Sequence, residues 1–346
     1  MKTPTARQLP SGSWFVRVKV DGVEHSITRP TKKEAEREAI ALKSGAKKAP
    51  VPMSRKTLEE AISDYIESRR GTISPSTLRG YSQIKRNRFK GLMKKQVGKI
   101  TQLDAQYAVS AEAKIVSAKT LKNSWGLVSA VITCATGTRL SVQLPQVIPG
   151  DGPYLEPEEI PAFLDALKGN KYEIAILLGL SSLRRSEIIA LKWENIDLKK
   201  GCIYVRGAAV YDENEKLVYK KENKNKTSRR TVPFLIPQLR EAVEAADKTK
   251  SPYAAGCYPN TVGRTVNRIC RAAGLPEIGA HGLRRSYASL AYQLGVEEAF
   301  TMEAGGWSDV YTMRKIYIKL SKKASKSRGQ KLTGFFEKCN ESVMKK

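Results

Sequence analysis

The sequence is poor in the residues that build metal and redox centres. Its 346 residues include two histidines, His25 and His281. A zinc centre needs a fuller set of nitrogen and sulfur ligands, so no metal site is expected. The five cysteines, Cys134, Cys202, Cys257, Cys270 and Cys339, are widely spaced and form no C-x-x-C pair. An odd number at such spacing reads as free thiols in a reducing compartment rather than a disulfide framework. No apolar run reaches about 18 residues, which argues against a membrane helix or a membrane partner. Met1-Lys2-Thr3-Pro4-Thr5 has no apolar signal-peptide core. A cytoplasmic chain is expected. No Gly-x-x-x-x-Gly-Lys and no clustered carboxylates occur, so no nucleotide or metal cofactor is expected.

Acids are the other shortage. Lys and Arg number 61 against 34 Asp and Glu, a formal net charge of +27. Such a field favours an anionic polymer, nucleic acid foremost, although ribosomal and membrane-surface proteins share the balance. The excess is +6 over residues 1–53, +10 over 54–140 and +11 beyond. No single tail holds it, so each part can face a polyanion.

The length predicts two or three domains. Trp14-Phe15-Val16-Arg17-Val18-Lys19-Val20 alternates apolar and basic residues, as a half-buried strand does. Asp21-Gly22 is a hairpin signal, Val23 to Thr28 is a returning strand, and Thr31 to Ala39 reads as a capped helix. Pro50 and Pro52 mark a linker. Thr57-Leu58-Glu59-Glu60 fits a capping box. Ser74-Pro75 fits an N-cap followed by proline, opening a helix towards Phe89. From Arg79 to Lys99 there are eight basic residues and no acid. Arg79, Lys85, Arg86, Arg88, Lys90, Lys94 and Lys95 form either a solvated helical face or, with Tyr81 and Phe89 nearby, a phosphate-tracking surface. Helices are expected over 101–113 and 118–135, and a second boundary at 141–152. Beyond it, strands are expected at Cys202 to Val210, Leu217 to Tyr219 and Arg230 to Phe234. Further helices are expected at 237–247, 259–273, 282–294 and 308–319.

Three clusters carry chemistry. Leu183-Arg184-Arg185-Ser186-Glu187 sets an arginine between apolar helical stretches. A buried guanidinium must be paired. Arg184 is therefore either half of a structural Arg–Glu pair or a clamp giving two parallel hydrogen bonds to a phosphate. In His281-Gly282-Leu283-Arg284, the histidine and arginine are three apart and share a helix face. In Gly305-Gly306-Trp307-Ser308 the glycines break the chain and Ser308 can cap the helix that follows, on which Tyr317 stands. Spacing alone does not separate Tyr317 from Tyr311 or Tyr292.

As a set, these clusters closely resemble the tyrosine recombinase, or phage integrase, family over about residues 155–320. Leu191-Lys192-Trp193-Glu194-Asn195-Ile196-Asp197 completes the first box. The resemblance implies a catalytic set of Arg184, Lys224, His281, Arg284, Trp307 and the nucleophile Tyr317. Lys224-Asn225-Lys226-Thr227-Ser228-Arg229-Arg230-Thr231-Val232-Pro233 matches the hairpin that supplies a lysine; Lys224 aligns with it and Lys226 is the runner-up. Trp307 stands where most members carry histidine, which shifts that role to an indole N–H donor and packing. Arg17, Lys19, Arg229 and Arg230, with the basic run above, are the expected DNA contacts.

The resemblance also implies a multidomain, mainly α fold with small β parts. Residues 1–50 would be an arm-type DNA-binding domain of three strands and a helix. Residues 54–140 would be a helical core-binding domain, and 152–330 an α+β catalytic domain. Residues 331–346 would be a tail helix, with Leu332, Phe335, Phe336 and Cys339 on one face for subunit contacts. The implied activity is site-specific cleavage and rejoining of double-stranded DNA through a 3′-phosphotyrosine, by a nucleoid-associated homotetramer acting on core and arm sites. An excisionase and a DNA-bending host factor are the helpers implied. A type IB topoisomerase shares the chemistry, and a non-catalytic DNA-binding regulator is the remaining alternative.

Overall fold

The structure, a computed structural model, describes residues 4–20, 23–44, 55–148, 150, 152–220, 229–311, 313–314 and 333; of residues 19, 20, 23–25 and 42 the backbone alone is described. The chain divides into two units, Met1–Ile148 and Pro149–Lys346.

The first unit opens with a three-stranded antiparallel sheet in the order β1 (Arg7–Gln8), β2 (Trp14–Val20), β3 (Val23–Arg29). Alternation sorts its faces. Val16 and Val18 are buried with Ile27 against Ala35 and Ala39 of α1 (Lys32–Lys43). On the other face, the guanidinium groups of Arg7 and Arg17 lie 5.4 and 5.7 Å from the Phe15 ring centre. The turn expected at Asp21-Gly22 and the linker at Pro50 and Pro52 lie outside the described residues.

A second apolar cluster gathers α2 (Leu58–Glu67), α3 (Pro75–Asn87), α4 (Lys90–Met93), α5 (Gln102–Ala113) and α6 (Ala118–Thr136). The Thr57 capping box forms: Thr57 Oγ1 accepts from the Glu60 N–H, and Glu60 Oε2 from the Thr57 N–H at 2.8 Å. Ser74 precedes Pro75 but makes no side-chain cap bond; its hydroxyl lies 3.0 Å from that of Ser76. After α3 the chain kinks at Phe89, whose φ of 48° is left-handed. Phe89 is buried edge-on to Trp125, and its N–H donates to the buried Glu112 carboxylate at 2.7 Å.

That carboxylate corrects the reading of the basic run. Arg88 faces Glu112 at 3.6 Å, and Lys95 is bound to Asp104 at 2.5 Å. Lys85 donates to Ser63, and Arg79 is half-buried. Arg86, Lys90, Lys94 and Lys99 are the exposed members. Two of the eight, Arg88 and Lys95, are thus met by acids from outside the window.

The second unit packs α7 (Ile160–Leu167), α8 (Glu173–Leu180), α9 (Arg185–Ala190), α10 (Pro237–Ala245), α11 (Pro259–Ala272), α12 (Gly279–Gln293) and α13 (Glu298–Gly305) with two small sheets. From Ala175 to Leu180 every residue of α8 is buried. It touches α12 so closely that a Cβ on Gly179 would come within 2.7 Å of Leu283. The strand expected over Cys202 to Val210 is two strands. β5 (Cys202–Val205) pairs with β4 (Ile196–Asp197) and β8 (Arg230–Pro233), whereas β6 (Ala208–Tyr211) pairs with β7 (Leu217–Lys220) in a separate hairpin. The break falls at Arg206-Gly207, where a Cβ on Gly207 would meet the Lys220 carbonyl at 2.8 Å. Among the described residues no helix is long and apolar enough to cross a membrane.

Candidate active site

The turn between α8 and α9 sets the first arginine. Ser182 adopts φ 74°, left-handed and strained for a residue with a Cβ. The turn delivers Arg184 to the N-cap of α9, where its N–H donates to Glu187 Oε2 at 2.8 Å and its Nη1 to Glu187 Oε1 at 2.7 Å. The structural pair weighed for Arg184 therefore exists. Its side chain is still 36% exposed, so it keeps an open edge.

α12 brings the second. It begins at Gly279, three residues before the expected start, so His281 sits in its first turn. A Cβ on Gly282 would meet Ile278 at 2.5 Å and the Pro153 carbonyl at 2.9 Å, which explains the glycine between His281 and Arg284. Arg284 is 3% exposed and donates through Nη1 to the Ser182 carbonyl and hydroxyl.

The third contribution is the C-terminus of α13, a helix the sequence did not announce. Gly306 takes φ 63°, its N–H donates to the Glu303 carbonyl, and the Trp307 N–H donates to the Met302 carbonyl. This glycine-ended double bond satisfies two of the helix's last carbonyls. The indole folds back over Gly305, where any Cβ would fall 1.8 Å from the ring. It also covers Arg284, whose guanidinium carbon lies 3.8 Å from the ring centre. Two other α13-end carbonyls accept from arginines: Gly306 from Arg184 Nη2 at 2.5 Å and Ala304 from Arg230 Nε at 2.7 Å.

Arg230 corrects the reading that placed it at DNA. Its side chain is 3% exposed and forks onto Glu187, Nη1 to Oε1 at 3.1 Å and Nη2 to Oε2 at 2.9 Å. The signal was available: Arg230 stands two residues before the fully buried Val232 in β8, and period two puts both on the core face. Arg229, one residue away, is exposed.

Three guanidinium groups thus surround one carboxylate. Burial pushes the Glu187 carboxyl up, but Arg230 and Arg184 more than offset this and hold it below its ordinary value. Burial, then Arg184 and Arg230, bring Arg284 down to about 9. Partial desolvation, then Arg285, Arg284 and Arg184, hold the His281 imidazole below its usual 6.5, although the residue stays exposed at the edge of the site.

Asp309, not Ser308, caps the next helical turn: its carboxylate accepts from the Tyr311 N–H at 3.0 Å. Met313 is fully buried with Tyr287, Ala288, Ala304 and Trp307. Arg314 forks onto Glu298 at 2.9 and 3.1 Å. Lys224, Lys226 and Tyr317 lie outside the described residues, as do the rest of the helix expected over 308–319 and the tail over 331–346 apart from Thr333. Arg284 and Trp307 meet directly, Arg184 reaches the Gly306 carbonyl beside them, and His281 stands one turn from Arg284.

The site gathers three arginines around one carboxylate, with an imidazole whose pKa is lowered beside them. The comparisons make it particular. Residues 153–324 match the model of the phage integrase family. A protein described as "Tyrosine recombinase XerC-like" from Caldanaerobacter subterraneus subsp. tengcongensis is 28% identical over 208 residues, covering 52% of this chain and 53% of that protein. The integrase of Salmonella phage P22 is 26% identical over 175 residues, covering 47% and 42%. The matches span about half the length of these relatives. In fold, the chain resembles the Tn1549 transposon integrase in complex with transposon right-end DNA, with TM-score 0.62 and 17% identity over 80% of this chain and 100% of that one. It also resembles a lambda integrase from a tetramer bound to a Holliday junction, with TM-score 0.55 and 18% identity over 91% and 95%. Residues 153–324 thus form a phage integrase family domain.

Proposed function

We propose that this protein is a site-specific DNA recombinase that cleaves and rejoins strands through a phosphotyrosine at Tyr317. One observation carries the reading: Arg184 and Arg230 share the Glu187 carboxylate while the buried Arg284 is held by the Ser182 carbonyl and hydroxyl, so three guanidinium groups gather around one acid. A DNA phosphodiester would supply the missing anion. Arg184 and Arg284 would bind its non-bridging oxygens more tightly as charge builds on them in the transition state. The Tyr317 phenol, with an ordinary pKa near 10, needs a base. His281, held neutral by desolvation and its arginine neighbours, takes that proton. The phenolic oxygen bonds to phosphorus, the bond to the 5′-oxygen breaks, and Lys224 protonates that departing oxygen to a 5′-hydroxyl. One phosphoester replaces another, so no external energy source enters.

The other parts follow the same reading. Residues 1–50 contact arm-type DNA through the face bearing Arg17 and Lys19. Residues 54–140 contact core DNA through Arg86, Lys90 and Lys94. Four copies assemble on paired sites, with an excisionase and a host bending protein as helpers, and the protein resides with the nucleoid. Nicked DNA carrying candidate core sites tests the central claim. The wild-type protein should remain covalently attached and Tyr317→Phe should bind without attaching; attachment by the phenylalanine variant would remove the proposed nucleophile. Relaxation of any plasmid without joining of defined sites would favour a topoisomerase.

A further inference from the structure

Lys220 and Arg229 line one cleft of about 960 Å³. Its walls come from β5, β7, β8, the 192–195 loop and Tyr253. Three features define its chemistry. Among the described residues that line it are Lys192, Arg206, Lys220 and Arg229 and one acid, Glu194, 3.3 Å from the Lys192 ammonium. Arg230 also reaches the wall but is committed to Glu187. The Tyr219 and Tyr253 rings stack at 4.3 Å with 15° between their planes, and Tyr219 is 43% exposed. Arg206 lies over the Tyr204 ring at 4.8 Å, which holds a cation beside an aromatic face.

Cations alone would suit the backbone of a duplex. Cations interleaved with open aromatic faces suit unpaired nucleotides, whose bases stack while their phosphates are tracked. We propose that this cleft receives the first unpaired nucleotides of the strand released when Tyr317 attacks. The proposal rests on the reading above, in which Lys224 protonates the departing 5′-oxygen. Arg230 reaches the cleft wall and also grips Glu187, which pairs with Arg184, so the cleft adjoins the arginine site. A strand end freed at that site would lie next to the cleft. Holding its bases there would keep them from re-pairing at home and present them to a partner site.

Nicked core-site DNA with 5-iodouracil at the first two nucleotides on the 5′-hydroxyl side tests this. Irradiation of the covalent complex should cross-link the label to Tyr219 or Tyr253, and uncleaved duplex held by Tyr317→Phe should not. Tyr219→Leu keeps apolar bulk without an aromatic face. It should form the covalent complex within about twofold of wild type yet join the released strand to a partner about tenfold more slowly, with Tyr219→Phe restoring joining. Equal cross-linking of uncleaved duplex would overturn the proposal, since the cleft would then hold paired DNA. So would joining at the wild-type rate by Tyr219→Leu, or a loss of cleavage that tracks a lowered Tm, which would make the stack packing alone. A wild-type protein that forms no covalent complex would fail the recombinase reading instead.

Discussion

At the scale of single residues, neighbours in sequence do opposite things. Arg229 is exposed and Arg230 is sealed against Glu187. Arg230→Met would strip a buried carboxylate of one partner, a change that costs about 3–5 kcal/mol. It should lower the midpoint of thermal unfolding and abolish cleavage. Arg229→Ala should leave that midpoint alone, weaken DNA binding across all sequences and flatten its salt dependence by about one unit of slope. Binding isotherms at several salt concentrations and thermal melts separate the two. His281 gives a pH signature. Its folded pKa is below the ordinary 6.5, so as pH falls from 6.5 the unfolded chain takes up the proton first and this group withdraws stability. The base stays competent through the same window, so single-turnover cleavage should hold at pH 6.5 and fall at a pH below it. Cleavage that already halves above pH 6.5 would contradict a neutral His281.

At the scale of elements, legibility followed locality. The capping box of α2 was readable because donor and acceptor lie three residues apart. The β5–β6 break was not, since Arg206-Gly207 interrupts a run that looks continuous and its partner is Lys220, across the hairpin. α13 was missed because its eight residues start without a side-chain cap and show no clear apolar stripe. The site divided the same way. Arg184, His281, Arg284 and Trp307 were named by motif, but the Ser182, Ala304 and Gly306 carbonyls that aim the arginines are backbone, which no motif spells. The Phe89 kink is another non-local device. Glu112→Ala would leave a buried N–H unsatisfied and cost about 1–3 kcal/mol, whereas Glu112→Gln keeps an acceptor and should recover most of it. Denaturant midpoints of the two variants test this.

At the scale of the whole molecule, the formal +27 overstates what DNA would meet, because Arg230 and Arg284 are buried, and Arg88 and Lys95 answer to internal acids. The proposed assembly would draw on the other end of the chain. Removing residues 331–346 should weaken pairing of two sites while sparing single-site binding, as gel-shift and joining assays would resolve; undiminished joining would end the subunit-contact role of that tail. The apolar interior is likewise divided. Among the described residues, six buried ones hold the N-terminal sheet and its helix, the five helices after it have a cluster of their own, and the unit from Pro149 has others. Heat should therefore take the chain apart in stages, the sheet with the thinnest interior first, so no lone melting temperature describes it.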